Sequence, residues 1–378
     1  MNERRAAGGS TQAEIRLPSR DIHADLAFYG KRLGFRLETI FPADNPAVAV
    51  MTGHGLRVRL ERGANETPGT IRLLCERPDE FAGGETDLEA PNGTRIEIRA
   101  SGPSFVQPPT RHALVVQRLN EREAWVVGRA GMQYRDLIPG RLGGAVIASH
   151  IRIPDGGPVP DMVHFHTITF QLIYCYRGWF DLVYEDQGPP FRLEAGDCVI
   201  QPSQIRHRVL VSSDNAEVIE MGVPAEHPTT IDHELSLPTG RLNPEREFDG
   251  QRFCRHRRLG ATWREWRLPG FEARGTGIAD ATGGVANATV ARAASGDAGA
   301  DTGMVASHDA DILFTFVLEG GLRLRASGHA ARDLQAGDAF VVPPGTRTAY
   351  ERCSTDLELL EVSLPGSFET TLHDGLRA

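Results

Sequence analysis

The chain has 378 residues, 40% hydrophobic and 24% charged, with a formal net charge of −9. That is long enough for two or three domains and has the composition of a folded globular protein. The acidic balance argues against a nucleic-acid partner, which calls for a basic face, and no run approaches the ~18 apolar residues of a membrane span. Lys31, the single lysine, sits in Tyr29-Gly30-Lys31-Arg32, a context that fits neither a phosphate-binding loop nor a pyridoxal-phosphate Schiff base.

The polar start Met1-Asn2-Glu3-Arg4-Arg5 carries no apolar signal region and is expected to be a flexible tail over residues 1–12. Cys75, Cys175, Cys198, Cys254 and Cys353 are scattered, with no Cys-x-x-Cys pair. Neither a disulfide framework nor a zinc ribbon is expected, and a reducing cytoplasm is the expected compartment. Ala13–Leu17 alternates like a strand. Asp21–Gly34 follows with an Asp N-cap, a terminal Gly and Ile22, Leu26, Tyr29 and Leu33 at helical spacing. Strand-like runs come next at 35–41, 47–52, 56–61, 70–75 and 94–99.

This β-α-β-β-β order, with Asp21, Ala27-Phe28-Tyr29, Leu33-Gly34-Phe35 and Pro91-Asn92-Gly93-Thr94-Arg95-Ile96-Glu97-Ile98, resembles the vicinal oxygen chelate (glyoxalase) module over residues 13–100. The helix of a second module is missing. The resemblance would make Glu14 and Glu97 metal ligands, although half of the paired modules is absent.

From residue 125 onward the chain reads as all-β, with strand-sized runs between Gly/Pro/Asp/Asn turns. An internal repeat runs through it. Gly131-Met132-Gln133-Tyr134-Arg135 is echoed by Gly270-Phe271-Glu272-Ala273-Arg274, and Gly143-Gly144 by Gly283-Gly284. Gly196-Asp197 is echoed by Gly337-Asp338, so the offsets are 139, 140 and 141. Two copies of one domain are therefore expected, over 125–240 and 241–366, bridged near Pro238–Trp266. A loose loop is expected at Gly296–Gly303 and a tail over 367–378.

The first copy holds His164-Phe165-His166. On a strand, side chains two apart share a face. His207 lies beyond, in Gln204-Ile205-Arg206-His207. Three imidazoles on one interior face suit iron, zinc, copper, nickel or manganese. These residues resemble the two motifs of the cupin superfamily. The first reads His164, His166, Gln171 and Gly178, and the second Gly196, Pro202, Gln204, His207 and Val211. Gln171 stands where the family has Glu, Gln204 where it has Gly, and Val211 where it has Asn. In the second copy Ala306, His308, Leu313 and Thr348 fall on the ligand positions, so that copy keeps the scaffold without a metal site.

The resemblance implies a mainly β bicupin, two jelly-roll barrels behind a small α+β domain. One divalent metal would be held by His164, His166, His207 and Gln171, with Fe(II) as the first choice and Zn, Mn, Ni or Cu open. Gln171 is also the one catalytic candidate. As a carboxamide it cannot serve as a general base, so the substrate would arrive anionic or lose its proton to metal-bound hydroxide. The implied activity is a dioxygenase using O₂ on a small chelating anion (hydroxy acid, enolate or β-diketone). A small-molecule-binding regulatory cupin and a redox-neutral isomerase or hydrolase stay open as alternatives. An exposed edge in the first domain points to a homodimer. His150, Cys175 and Arg206 are expected in structural roles. Phe165, Phe170, Tyr174, Tyr176, Trp179 and Phe180 are expected in the core, and His23 and His54 at the surface.

Overall fold

The computed structural model describes residues 12–101, 106–120, 125–294 and 304–376. The expected N-terminal tail, apart from Gln12, and the expected loop Gly296–Gly303 lie outside the described residues. The chain divides into two compact units, Met1–Val106 and Gln107–Ala378.

In the first unit, the Asp21 carboxylate accepts the His23 and Ala24 N–H groups at 3.0 and 3.2 Å and so starts the helix Ile22–Ala27. The helix widens into a π-turn over Phe28–Arg32 and stops at Gly34, whose φ of +78° suits a glycine. A four-stranded sheet runs in the order Ile15–Ser19, Leu56–Arg62, Val48–Gly53, Arg36–Phe41. Its first pair is parallel and the others antiparallel. A second sheet starts the same way. Thr70–Cys75 lies parallel to Arg95–Ala100, which pairs antiparallel with Asp87–Glu89. Only the short turn Phe81–Gly84 stands where the first sheet has its helix. Alternation along each strand sends Val58, Leu60, Ile71, Leu73, Ile96 and Ile98 into one shared core.

The second unit is two tandem barrels, each made of two facing sheets. The first barrel has a seven-stranded sheet in the order Cys254–His256, Cys198–Ile200, Phe170–Arg177, Ala216–Val223, Ile147–Ile153, Gln133–Asp136, Val126–Val127. Facing it are Phe191–Glu194, Trp179–Tyr184, His207–Ser212, His164–His166 and Thr229–Ile231. The second barrel repeats this plan. Phe271–Gly275, Asn287–Ala293, Glu358–Leu364, Ile312–Glu319 and Ala339–Val341 run through one sheet. Gly321–Ala326, Thr348–Glu351 and Val305–His308 run through the other.

The barrels exchange edge strands. Val115–Gln117, which precedes the first barrel in sequence, pairs with Ala339–Val341 of the second. Cys254–His256 pairs with Cys198–Ile200 of the first. The repeated Gly-Asp pairs fasten this exchange. Asp197 Oδ1 accepts the Arg258 N–H at 2.7 Å and Asp338 Oδ1 accepts the Leu119 N–H at 2.8 Å. A Cβ on Gly196 would lie 2.5 Å from Arg258 Cδ, and one on Gly337 would lie 2.7 Å from Leu119 Cδ2. Two buried arginines complete the lock: Arg135 donates to the Gly337 carbonyl at 2.5 Å and Arg274 to the Gly196 carbonyl at 3.0 Å. One apolar core then runs through both barrels, with Phe170 and Ile219 beside Phe314 and Phe316.

Three sequence-based expectations need correction. Thr370–His373, assigned to a tail, is an edge strand paired with Val305–His308, and Val115–Gln117 lies ahead of the expected start at 125. Strands this short carry no periodicity, and their partners are distant in sequence. Phe170, Tyr174 and Phe180 are core residues. Phe165, Tyr176 and Trp179 are only half-buried, and each carries an arginine over one ring face: Arg206 at 4.1 Å, Arg177 at 4.8 Å and Arg192 at 3.4 Å from the ring centroid.

Candidate metal centre

His164 and His166 lie on the same face of their strand, and antiparallel pairing sets His164 directly opposite His207. One ring nitrogen from each of the three lies within 4.8 Å of the others, and all three residues are buried. No Cys, Asp or Glu joins this group among the described residues.

The remaining nitrogens are already engaged. His164 Nδ1 meets the Met162 carbonyl at 2.8 Å, and His207 Nδ1 meets the Ile205 carbonyl at 2.9 Å. A carbonyl only accepts, so each Nδ1 carries the proton and each Nε2 keeps its lone pair. His166 Nδ1 is 3.0 Å from Thr229 Oγ1. His164 Nε2 is buried with no hydrogen-bond partner, which leaves its lone pair available to a cation.

Burial, then the neighbouring histidines, pushes His166 down to about 3 and His207 well below its usual value. Burial, then Arg129, lowers His164 as well. All three imidazoles are therefore neutral near pH 7, the state that ligates a cation.

Gln171 projects from Phe170–Arg177, is 1% exposed, and donates through Nε2 to Glu220 Oε1 at 2.6 Å. That bond fixes the amide, leaving Oε1 as a buried acceptor without a partner. Arg129 forms an ion pair with the buried Asp161 and lies 3.4 Å from His164 Nδ1. Asp161 is further held by the Val209 N–H at 3.0 Å.

The histidines, Gln171, Glu220 and Arg129 open onto a cavity of about 380 Å³ whose walls are largely aliphatic, including Ile151, Ile153, Leu182 and Val218. His227 lines it too, its ring centroid 5.4 Å from that of His166. Tyr184 stacks on His207 at 5.5 Å, and its hydroxyl accepts from Gln201 at 2.8 Å.

Sequence reasoning missed Arg129, Asp161, Glu220 and His227. Glu220 left one trace, since Glu361 recurs 141 residues later. The structural expectations for three others match their surroundings. His150 bonds Glu217 at 2.6 Å, away from the cavity. Arg206 pairs with Asp232 at 3.1 Å, and Cys175 packs in the core. In the first unit, Glu14 pairs with Arg57 and Glu97 with Arg72. Neither joins a cluster that could hold a metal among the described residues. His54, though exposed, bonds the Leu33 carbonyl at 2.6 Å.

In the second barrel Ala306 sits opposite Thr348, the pairing that His164 and His207 make in the first. Its interior holds a buried Arg267–Glu361 ion pair, with Nε 2.9 Å from Oε1.

No protein-family profile and no curated protein sequence matches the chain. Solved structures do. A point mutant of salicylate 1,2-dioxygenase from Pseudoaminobacter salicylatoxidans aligns at 16% identity and a TM-score of 0.51, covering 71% of this chain and 90% of that one. An oxalate decarboxylase aligns at 16% identity and 0.51, covering 70% and 81%. The Bacillus subtilis oxalate decarboxylase, whose Mn(II) centres have been studied, aligns at 15% and 0.50, covering 70% and 81%. What these likenesses show is the fold, that of a mainly β bicupin.

Proposed function

We propose that the first barrel is the centre of a metal-dependent oxygenase acting on a small chelating anion. The observation that carries this reading is the convergence of three neutral, buried imidazoles, two of them with the other ring nitrogen bonded to a carbonyl, on the wall of a cavity. His164, His166 and His207 would hold one divalent transition metal, Fe(II) first among the candidates, and the Gln171 Oε1 would face it as a neutral fourth group. Such an ion supplies Lewis-acid binding of the substrate and a redox partner for O₂.

The chain's own groups do the rest. A donor set without a carboxylate leaves the full cationic charge to attract an anionic chelate. Arg129, anchored by Asp161, adds positive charge beside His164 and orients an acidic head. Glu220, held by Gln171 Nε2, is a carboxylate on the cavity wall that can take a hydroxyl proton, a role Gln171 cannot fill. The aliphatic walls exclude water from the reacting end. For the first unit we retain a vicinal-oxygen-chelate-like reading, supported by its paired parallel-then-antiparallel sheets.

Metal analysis of the isolated protein, joined to oxygen-electrode traces with hydroxy acids and β-diketones, tests the assignment. Iron with substrate-dependent O₂ uptake supports it. Metal without uptake moves the protein to the redox-neutral or binding readings.

A further inference from the structure

The second barrel shows what fills a cavity of this kind when no ligand has to enter. Its residual void is only about 10 Å³, lined by Arg267, Phe271, Ala306, Thr348 and Tyr350, against about 380 Å³ in the first barrel. The repeat aligns these two interiors residue by residue. The turn closed by Met132 N–H on the Arg129 carbonyl recurs as Phe271 N–H on the Leu268 carbonyl. Phe271 therefore answers to Met132. The matched pairs His164–His207 and Ala306–Thr348 place Tyr350 opposite Val209 in the alignment. At two positions that bound the interior, the second barrel has Phe and Tyr where the first has Met and Val.

Beside the histidines, the exposed wall of the first cavity is mostly apolar. Burying apolar surface is favourable, and a wall of Met132, Val209, Ile151 and Leu193 offers little to a ligand that is polar throughout. A small dicarboxylate would leave most of this wall uncovered.

We propose that the first barrel takes an amphipathic acid: an anionic chelating head at the three histidines and Arg129, and an apolar body in the space bounded by Met132 and Val209. Those two positions set the length of the body, because their counterparts Phe271 and Tyr350 fill the same space in the second barrel. The head assignment rests on the metal-centre reading above, whereas the body assignment rests on the wall alone.

The test is calorimetric titration of the full chain with glycolate, 2-hydroxybutyrate, 2-hydroxyhexanoate and 2-hydroxyoctanoate, with metal content measured on the same sample. Affinity is expected to rise roughly fourfold per buried methylene until the cavity is full. Met132→Phe and Val209→Tyr import the second barrel's residues. They should weaken 2-hydroxyoctanoate tenfold or more, with a loss that grows along the series, while metal content is retained. Val209→Ile should act in the same direction with a smaller loss, and thermal melts report whether each variant is folded. A flat series in the wild type, or a series that folded variants leave unchanged, overturns the proposal. Absence of metal in the wild type counts against the metal centre alone. Butyrate, hexanoate and octanoate then test the body on the same protein, and a flat response to them overturns it.

Discussion

The two barrels share a backbone and differ in what they enclose. Strand pairings recur register for register, and even Gln204, at φ +65°, adopts the left-handed turn that Gly345 adopts at +74°. The shared features lie mostly at the junction between the barrels: the Gly-Asp pairs, the exchanged strands and the arginines Arg135 and Arg274. The differences lie inside. His164, His207, Gln171, Met132 and Val209 in the first barrel become Ala306, Thr348, Leu313, Phe271 and Tyr350 in the second. The junction constrains both copies equally, because each copy's strand edge is completed by the other. Each interior void is lined by residues of its own barrel, so the interiors can diverge, one into a cavity that carries the histidines, the other into a packed core closed by an ion pair.

The largest expected effect breaks the comparison at the metal. One transition metal per chain should be found by elemental analysis. His164→Ala or His207→Ala should reduce it to background, and His308→Ala should leave it intact. His308 is the second barrel's lone histidine at a ligand position, and its Nε2 is 3.1 Å from the Val342 carbonyl. Two metals per chain would end the contrast between a loaded and an empty barrel.

Next comes the ion pair that closes the second barrel. Arg267 and Glu361 have side chains 16% and 4% exposed, and removing one partner from such a pair typically costs about 3–5 kcal/mol. Arg267→Ala should destabilise the chain by that order in denaturant unfolding while metal content stays at the wild-type level. A loss below about 1 kcal/mol, the scale of an ordinary hydrogen bond, would mean that Arg267 only fills space.

These two predictions mark what the sequence could and could not disclose. His164 and His166 lie two apart on a strand, and the Gly-Asp repeat fixes the position of His207, so the clustering of the three was readable. The junction was not. Val115–Gln117 is a short strand that meets Ala339–Val341, far away in sequence, beyond any local pattern. Arg129, Asp161 and Glu220 reach the site from separate elements with no motif among them. Their placement depends on folded register, as with Gln171 Nε2 finding Glu220 across adjacent strands.

A smaller effect is expected at the junction, where the copies should respond alike. Asp197→Ala removes acceptors for the Arg258 and Glu194 N–H groups, and Asp338→Ala for those of Leu119 and Gln335. Each substitution should cost about 2 kcal/mol. Unequal costs, measured by unfolding midpoints at a constant slope, would show that one exchanged strand holds the barrels together more than the other.

The smallest effect sharpens the comparison at Gln171, where a single amide separates a neutral donor set from an anionic one. Gln171→Glu brings a carboxylate to the metal position and should strengthen metal retention. It also removes the Nε2 donor and sets two carboxylates side by side, because Glu220 Oε1 lies 2.6 Å from that nitrogen. Like charges at this distance oppose each other, so the single variant should gain little. Gln171→Glu with Glu220→Gln reverses the hydrogen bond and leaves one negative charge. The double variant should then hold metal about tenfold more tightly against a competing chelator than Gln171→Glu alone, within the range typical of groups that position a ligand. It should also bind an anionic chelate more weakly than the wild type, because the metal's charge is partly neutralised. Additive effects of the two substitutions on metal retention would show that Glu220 does not act through Gln171, and that the amide's orientation is set elsewhere.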